Sequence, residues 1–157
     1  MILSDREIIE SLDNGEISIS PFNEDYLTPN GYDLGISGVE VDNEMIKPNN
    51  NVYIIPPLKD FRVVSVETIR CDAMHVAFLN LKTRYSRHGI QGTFGKIDAG
   101  FNGTLTFGLF NGSNYNFKLL KGDRIVQIDF RRMLKPAEQI YEERSGNYQH
   151  QKDTVMK

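Results

Sequence analysis

A single cysteine, Cys71, excludes an internal disulfide, so packing and hydrogen bonds must hold this 157-residue chain together. Long apolar runs are missing too: no stretch approaches the ~20 residues that cross a bilayer, and mean hydropathy is −0.40. The opening segment MILSDREIIE carries neither a basic stretch nor an extended apolar one. A cytoplasmic protein without a membrane partner is expected. Positive charge is scarce as well, with 18 Lys and Arg against 21 Asp and Glu, a net charge of −3 and a pI near 5.6. Neutralising a nucleic acid backbone needs clustered cations, so no nucleic acid polymer is expected. A small polyphosphate stays open, because a few converging basic groups and a metal ion can share its charge.

Several kinds of chemistry fall by the same reasoning. The histidines His75, His88 and His150 are scattered, and no Cys or His pair has the spacing of a zinc site. Neither a phosphate-cradling G-x-x-x-x-G-K-[ST] loop nor a G-x-S-x-G elbow is present.

What the chain does have is one domain's length of short β-type segments. Ser4-Asp5-Arg6-Glu7 has the spacing of a capping box; Ile8, Ile9 and Leu12 then fall on one helical face before the stop at Asn14-Gly15. After Glu16 the period changes. Ile17–Ile19, Asn51–Ile55, Phe61–Val66, His75–Leu79, Gly103–Asn111 and Ile125–Phe130 read as strands separated by Pro, Gly, Asn and Asp. The expected fold is all-β, a sandwich, jelly roll or barrel with a short N-terminal helix. From about residue 142 the chain turns polar and aperiodic, which predicts a domain over 1–141 and a flexible C-terminal arm over 142–157.

The Gly-Asp constellations remain. In Gly95-Lys96-Ile97-Asp98-Ala99-Gly100-Phe101-Asn102-Gly103 a carboxylate stands at a glycine-rich bend. Asp98 reads either as a turn device whose side chain caps backbone amides or as a positioned acid–base group. This segment, with Asn30-Gly31-Tyr32-Asp33-Leu34 before it and Lys121-Gly122-Asp123-Arg124-Ile125-Val126-Gln127-Ile128 after it, resembles the first, third and fourth motifs of the deoxyuridine triphosphatase (dUTPase) superfamily, in order. Ile19-Ser20-Pro21-Phe22 and Gly146-Asn147-Tyr148-Gln149 look like the branch holding dCTP deaminases and archaeal-type dUTPases. The second motif departs: where the branch has Arg-Ser-Ser-Leu-Ala-Arg, this chain has Lys82-Thr83-Arg84-Tyr85-Ser86-Arg87.

The resemblance implies a distorted jelly roll forming a homotrimer with sites between subunits. The activity it implies is Mg2+-dependent hydrolysis of dUTP to dUMP and pyrophosphate, with Asp98 as base for the attacking water. Substrate contacts fall to Lys82, Thr83, Arg84 and Arg87 on the phosphates and to the backbone of Ala99 and Gly100 on the uracil edge. Phe101 stands beneath the deoxyribose, Gln127 helps hold the site, and Tyr148, Gln149 and Lys152 belong to the closing arm. Asp33 orients either metal-bound water or a neighbouring basic group; Phe101 also reads as a core aromatic. Deaminating members place a glutamate, the acid–base group at the pyrimidine C4, where this chain has Gly108. That favours dUTP hydrolysis over a dCTP deaminase, monofunctional or bifunctional, while the altered second motif keeps a catalytically degraded nucleotide-binding relative in view.

Overall fold

The computed structural model describes residues 1–152. Helix α1 (Asp5–Asp13) is followed by β1 (Ile17–Ser20), a 3-10 turn at Glu24–Tyr26, β2 (Leu27–Thr28), β3 (Gly31–Val41), β4 (Glu44–Ile46), β5 (Val52–Ile55), β6 (Lys59–Cys71) and β7 (His75–Leu81). The short helix α2 (Thr83–Ser86) leads to β8 (Ile90–Thr93), β9 (Asn102–Asn111), β10 (Phe117–Leu120), β11 (Arg124–Arg132) and α3 (Tyr141–Arg144). The pairing is antiparallel throughout. One nine-stranded sheet runs β7-β11-β3-β6-β9-β8, with β1 on β6 and both β2 and β4 on β3; β10 and β5 form a separate ribbon.

The N-terminal helix forms as its sequence dictates. The Ser4 hydroxyl accepts from the Glu7 amide, and the Glu7 carboxylate accepts from the Ser4 amide at 2.8 Å, satisfying two donors that a helix start leaves unpaired. Ile8 is fully buried and Leu12 packs against the core. Gly15 takes φ +69° just past the last turn, as a terminating glycine does.

The central strands β3, β6 and β11 form the core. Tyr32, Leu34, Ile36, Val63, Ile69, Ile125, Ile128 and Phe130 are sealed from solvent, each such side chain contributing about 1.5–3 kcal/mol of burial. Strand β3 was legible only as a motif, because Gly31, Gly35 and Gly38 interrupt any apolar alternation. The glycines serve close approach: a Cβ at Gly31 would stand 2.5 Å from the Ile128 carbonyl oxygen, so a side chain there would push β11 away. Strand β9 alternates cleanly. Leu105, Phe107 and Leu109 point inward, while Thr104, Thr106 and Gly108 line its outer, half-buried face. That outer face carries the candidate site. No helix among the described residues is long and apolar enough to cross a membrane.

Candidate active site

Asp98 sits at the first position of a tight turn in which the Phe101 amide donates to the Asp98 carbonyl at 3.1 Å. Gly100 occupies the third position with φ +85°, which an L side chain rarely adopts, and a Cβ there would lie 2.5 Å from that of Ile140. Gly95 has no such constraint, since a Cβ there would meet nothing within 4 Å. The Gly100 amide donates to the carbonyls of Cys71 and Asp72, both at 3.1 Å, and the Cys71 amide donates to Phe101 at 3.0 Å. The bend is thus bolted to the end of β6, while Ile97 and Ala77 bridge it to β7. Behind it Cys71 is 1% exposed, and desolvation pushes its thiol up to about 12.

The turn-device reading of Asp98 is not the one observed. Among the described residues its carboxylate makes no hydrogen bond to the turn's amides; it pairs with Lys96 at 2.7 Å and is 43% exposed. The amide-capping role falls to Asp72, whose Oδ1 accepts from the amides of Met74 and His75 and meets His75 Nδ1 at 2.8 Å. Asp98 faces a cavity of about 430 Å³ whose other walls include Leu79, Phe101, Thr104, Thr106, Tyr148, Gln151 and Arg62. Phe101 is a core aromatic, 6% exposed and edge-on to Tyr141 with centroids 5.6 Å apart, and it also forms part of the cavity wall.

The C-terminal arm reaches this cavity along β9. The His150 amide donates to the Asn102 carbonyl and the Thr104 amide to the Gln151 carbonyl, so the arm pairs with the start of the strand. Gly103 permits the approach, for a Cβ there would lie 3.0 Å from the Gln151 nitrogen. Gln149 clamps the bend, donating to the Gly100 carbonyl and accepting from the Asn102 amide, both at 3.0 Å. Tyr148 is half-exposed at the cavity rim, while Lys152 is exposed and does not line it. The last five arm residues, 153–157, lie outside the described residues.

The other expected residues gather elsewhere. The Asp33 carboxylate receives Lys82 Nζ on one oxygen and Gln127 Nε2 at 3.1 Å on the other. Asp33 thus contacts a neighbouring basic group on one oxygen and a neutral amide on the other. Arg124 and Glu67 brace this corner: Arg124 donates to Glu67 and to the Asp33 carbonyl, its guanidinium lies 3.2 Å from the Tyr26 ring centroid, and Glu67 also accepts from the Gly35 amide at 3.0 Å. Burial acts to lower the Arg124 pKa, but hydrogen bonding and charge from Glu67 outweigh it and hold the guanidinium above its ordinary value. Thr83, Arg84 and Arg87 are exposed on and beside α2. None of Lys82, Thr83, Arg84, Arg87, Gln127 or Asp33 lines the Asp98 cavity of its own chain.

The Ala99 carbonyl accepts from the Tyr141 amide at 2.8 Å, the Gly100 carbonyl from Gln149, and the Gly100 amide is spent on Cys71 and Asp72. These bonds brace the hairpin, while the Ala99 amide has no hydrogen bond among the described residues. Arg62, Thr104, Thr106 and Gln151 were missed. The wall position of Arg62 depends on the β6–β9 register, which pairs it with Gly108 and which no local pattern reveals; Thr104 and Thr106 were readable from the β9 alternation alone.

Comparison with known proteins agrees with this architecture. Residues 39–133 match the family described as dCTP deaminase-like. The chain is 39% identical over 144 residues to a dCTP deaminase of Thermococcus kodakarensis, covering 90% of each. It is 35% identical over 158 residues to a probable deoxyuridine 5′-triphosphate nucleotidohydrolase of Sulfolobus islandicus rod-shaped virus 1, covering 99% of this chain and 98% of that one. Among solved structures, the 2′-deoxycytidine 5′-triphosphate deaminase of Agrobacterium tumefaciens superposes with a TM-score of 0.69 at 19% identity, over 84% of this chain; the chain spans about half of that protein, 48%. The chain belongs to the dCTP deaminase-like family, within the superfamily of enzymes that also holds the dUTPases. Its fold is that superfamily's jelly roll.

Proposed function

We propose that this protein hydrolyses dUTP to dUMP and pyrophosphate, with Asp98 as the base that takes a proton from the water attacking the α-phosphorus. The observation carrying this reading is Gly108. It stands on the outer face of β9, two residues beyond the cavity-lining Thr106, and a Cβ there would meet nothing nearer than the Thr93 carbonyl oxygen at 3.8 Å. At the position where a deaminase carries its acid–base glutamate this chain has no side chain, whereas Asp98 supplies a carboxylate on a braced turn. A carboxylate base is effective only when held in place, and the Gly100, Cys71 and Gln149 hydrogen bonds brace its turn. Phe101 packs beneath the sugar and Tyr148 covers the site.

Magnesium fits this donor set as a passenger of the triphosphate. Among the described residues no group of three or more His, Cys, Asp or Glu could cage a metal, and magnesium is commonly held by substrate phosphates, water and one or two carboxylates. Bound there, it would offset the charge of the phosphates and of the departing pyrophosphate.

The phosphate-gripping cations Lys82, Arg84 and Arg87, with Thr83, lie outside the chain's own Asp98 cavity. This supports a homotrimer in which a neighbouring copy brings them to the site.

The test is pyrophosphate release from a panel of deoxynucleoside triphosphates by the wild type and Asp98→Asn. Wild-type release from dUTP and a loss of about 10²–10⁴-fold in the variant are expected. Wild-type-like turnover by the variant removes Asp98 from the mechanism. The name carried by the Thermococcus relative favours a second reading, dCTP deamination; ammonia release from dCTP by the wild type would establish it in place of ours.

A further inference from the structure

The Gly100 amide and the Ala99 and Gly100 carbonyls of the Asp98 turn are bonded within the chain, so side chains on the other walls of the cavity are further candidates for reading a pyrimidine edge. Thr104 and Thr106 are largely spent as well: Gln151 Nε2 donates to the Thr104 carbonyl and to Thr106 Oγ1, and Thr104 Oγ1 donates to the Gln151 carbonyl. Arg62 remains. It is the direct cross-strand partner of Gly108, so the two share a face, and the missing side chain at 108 leaves room beside it. Arg62 lines both the Asp98 cavity and an adjoining cavity of about 610 Å³ that Gly108 also borders.

Its guanidinium is held rather than free. Nη2 donates to the buried Glu40 carboxylate and to Asn43 Oδ1. The donors on Nη1 and Nε have no hydrogen bond among the described residues. Glu40 is 6% exposed and offsets the charge, so Arg62 acts as a fixed set of N–H donors rather than as an attractor of phosphate. A guanidinium donates and cannot accept.

Building on the dUTP reading above, we propose that Arg62 is the specificity-determining residue that reads position 4 of the pyrimidine and admits a ring with a carbonyl there in preference to one with an amino group. Uracil presents an acceptor to Nη1 or Nε. Cytosine presents donors to donors, leaving both sides unpaired in a partly desolvated site, which is the arrangement that discriminates strongly.

The experiment is calorimetric binding, with magnesium, of the α,β-imido triphosphates of deoxyuridine, deoxycytidine and the 2-pyrimidinone deoxyriboside, which lacks the 4-oxygen. The full chain is used as wild type, Arg62→Met and Arg62→Lys, each checked for folding by thermal melting. The wild type should prefer the uracil nucleotide over both others by about tenfold or more. Arg62→Met should bind all three nearly equally, through loss of affinity for the uracil form alone. Arg62→Lys, without the planar fork, should fall between, and it decides the matter if the methionine variant does not fold. The proposal is overturned if the wild type ignores the 4-oxygen, if either variant keeps the full preference, or if substitution weakens all three ligands alike. Preference without pyrophosphate release from dUTP would sink hydrolysis and spare Arg62; release without preference would do the reverse.

Discussion

The Asp98 turn and the Asp33 corner are built on opposite principles. At the turn, the main chain is locked by backbone hydrogen bonds and the carboxylate is left half-exposed, paired among the described residues with Lys96 beside it. At the corner, the side chains do the locking: Asp33 is held between Lys82 and Gln127, and buried Glu67 holds Arg124 against Tyr26. A rigid backbone with a free side chain suits a group that must exchange a proton. A saturated side-chain network suits a platform that must keep its shape while presenting Arg84 and Arg87 to something outside the chain.

The largest effect that could break this division comes from mixing. If the corner serves a neighbouring subunit's Asp98 cavity, Asp98→Asn and the double variant Arg84→Ala, Arg87→Ala are each inactive alone. Refolded together at equal amounts, they regain about a quarter of wild-type dUTP turnover, from random pairing of subunits in a cyclic assembly. No recovery above the separate variants would place both regions at the service of one chain and end the division of labour.

A smaller effect sharpens it through stability. Glu67→Gln leaves Arg124 facing a neutral partner in a site where Glu67 itself is 1% exposed, and should cost about 3 kcal/mol in denaturant unfolding. Asp98→Asn, at a half-exposed side chain, should stay within about 0.5 kcal/mol of wild type. Equal costs would show that the turn and the corner do not differ in how they are held.

The smallest effect is a control far from both regions. The amide and hydroxyl of Ser4 lower the Glu7 pKa below its ordinary 4.5. A depressed carboxylate contributes stability that is fully present above the unfolded pKa and is lost as pH falls through the folded one. Ser4→Ala removes the hydroxyl and keeps the amide, so it should flatten in part the acid limb of the Tm–pH curve below about pH 4.5 and leave dUTP turnover unchanged. A variant with an unaltered acid limb would mean that the capping pair is not linked to stability.

How far the sequence reached follows from the kind of interaction involved. The helix, its cap and the strands β1, β5, β7, β9 and β11 were legible because their signals are local: a cap three residues from its partner, or alternation along one strand. Strand β3 showed only as a motif, since its glycines answer to the neighbouring strand. Strand β6 was read as six residues where it runs for thirteen, because a bulge between Val64 and Thr68 shifts its register. At the site, Asp98, Phe101, Tyr148 and Gln149 were placed from their motifs. Arg62 and the internal bonding of the Ala99 and Gly100 carbonyls were not, because their partners Gly108, Tyr141 and Gln149 each lie more than forty residues away along the chain.

The buried thiol behind the Asp98 bend turns the molecule into its own reporter. Cys71 is the chain's sole sulfhydryl, sealed and held neutral by desolvation, and its peptide group is bonded to both Gly100 and Phe101. An alkylating reagent can reach it only when the end of β6 and the bend part company, so the rate of labelling clocks that opening event. A nucleotide that tightens the bend slows the clock, giving a readout of occupancy that requires no turnover.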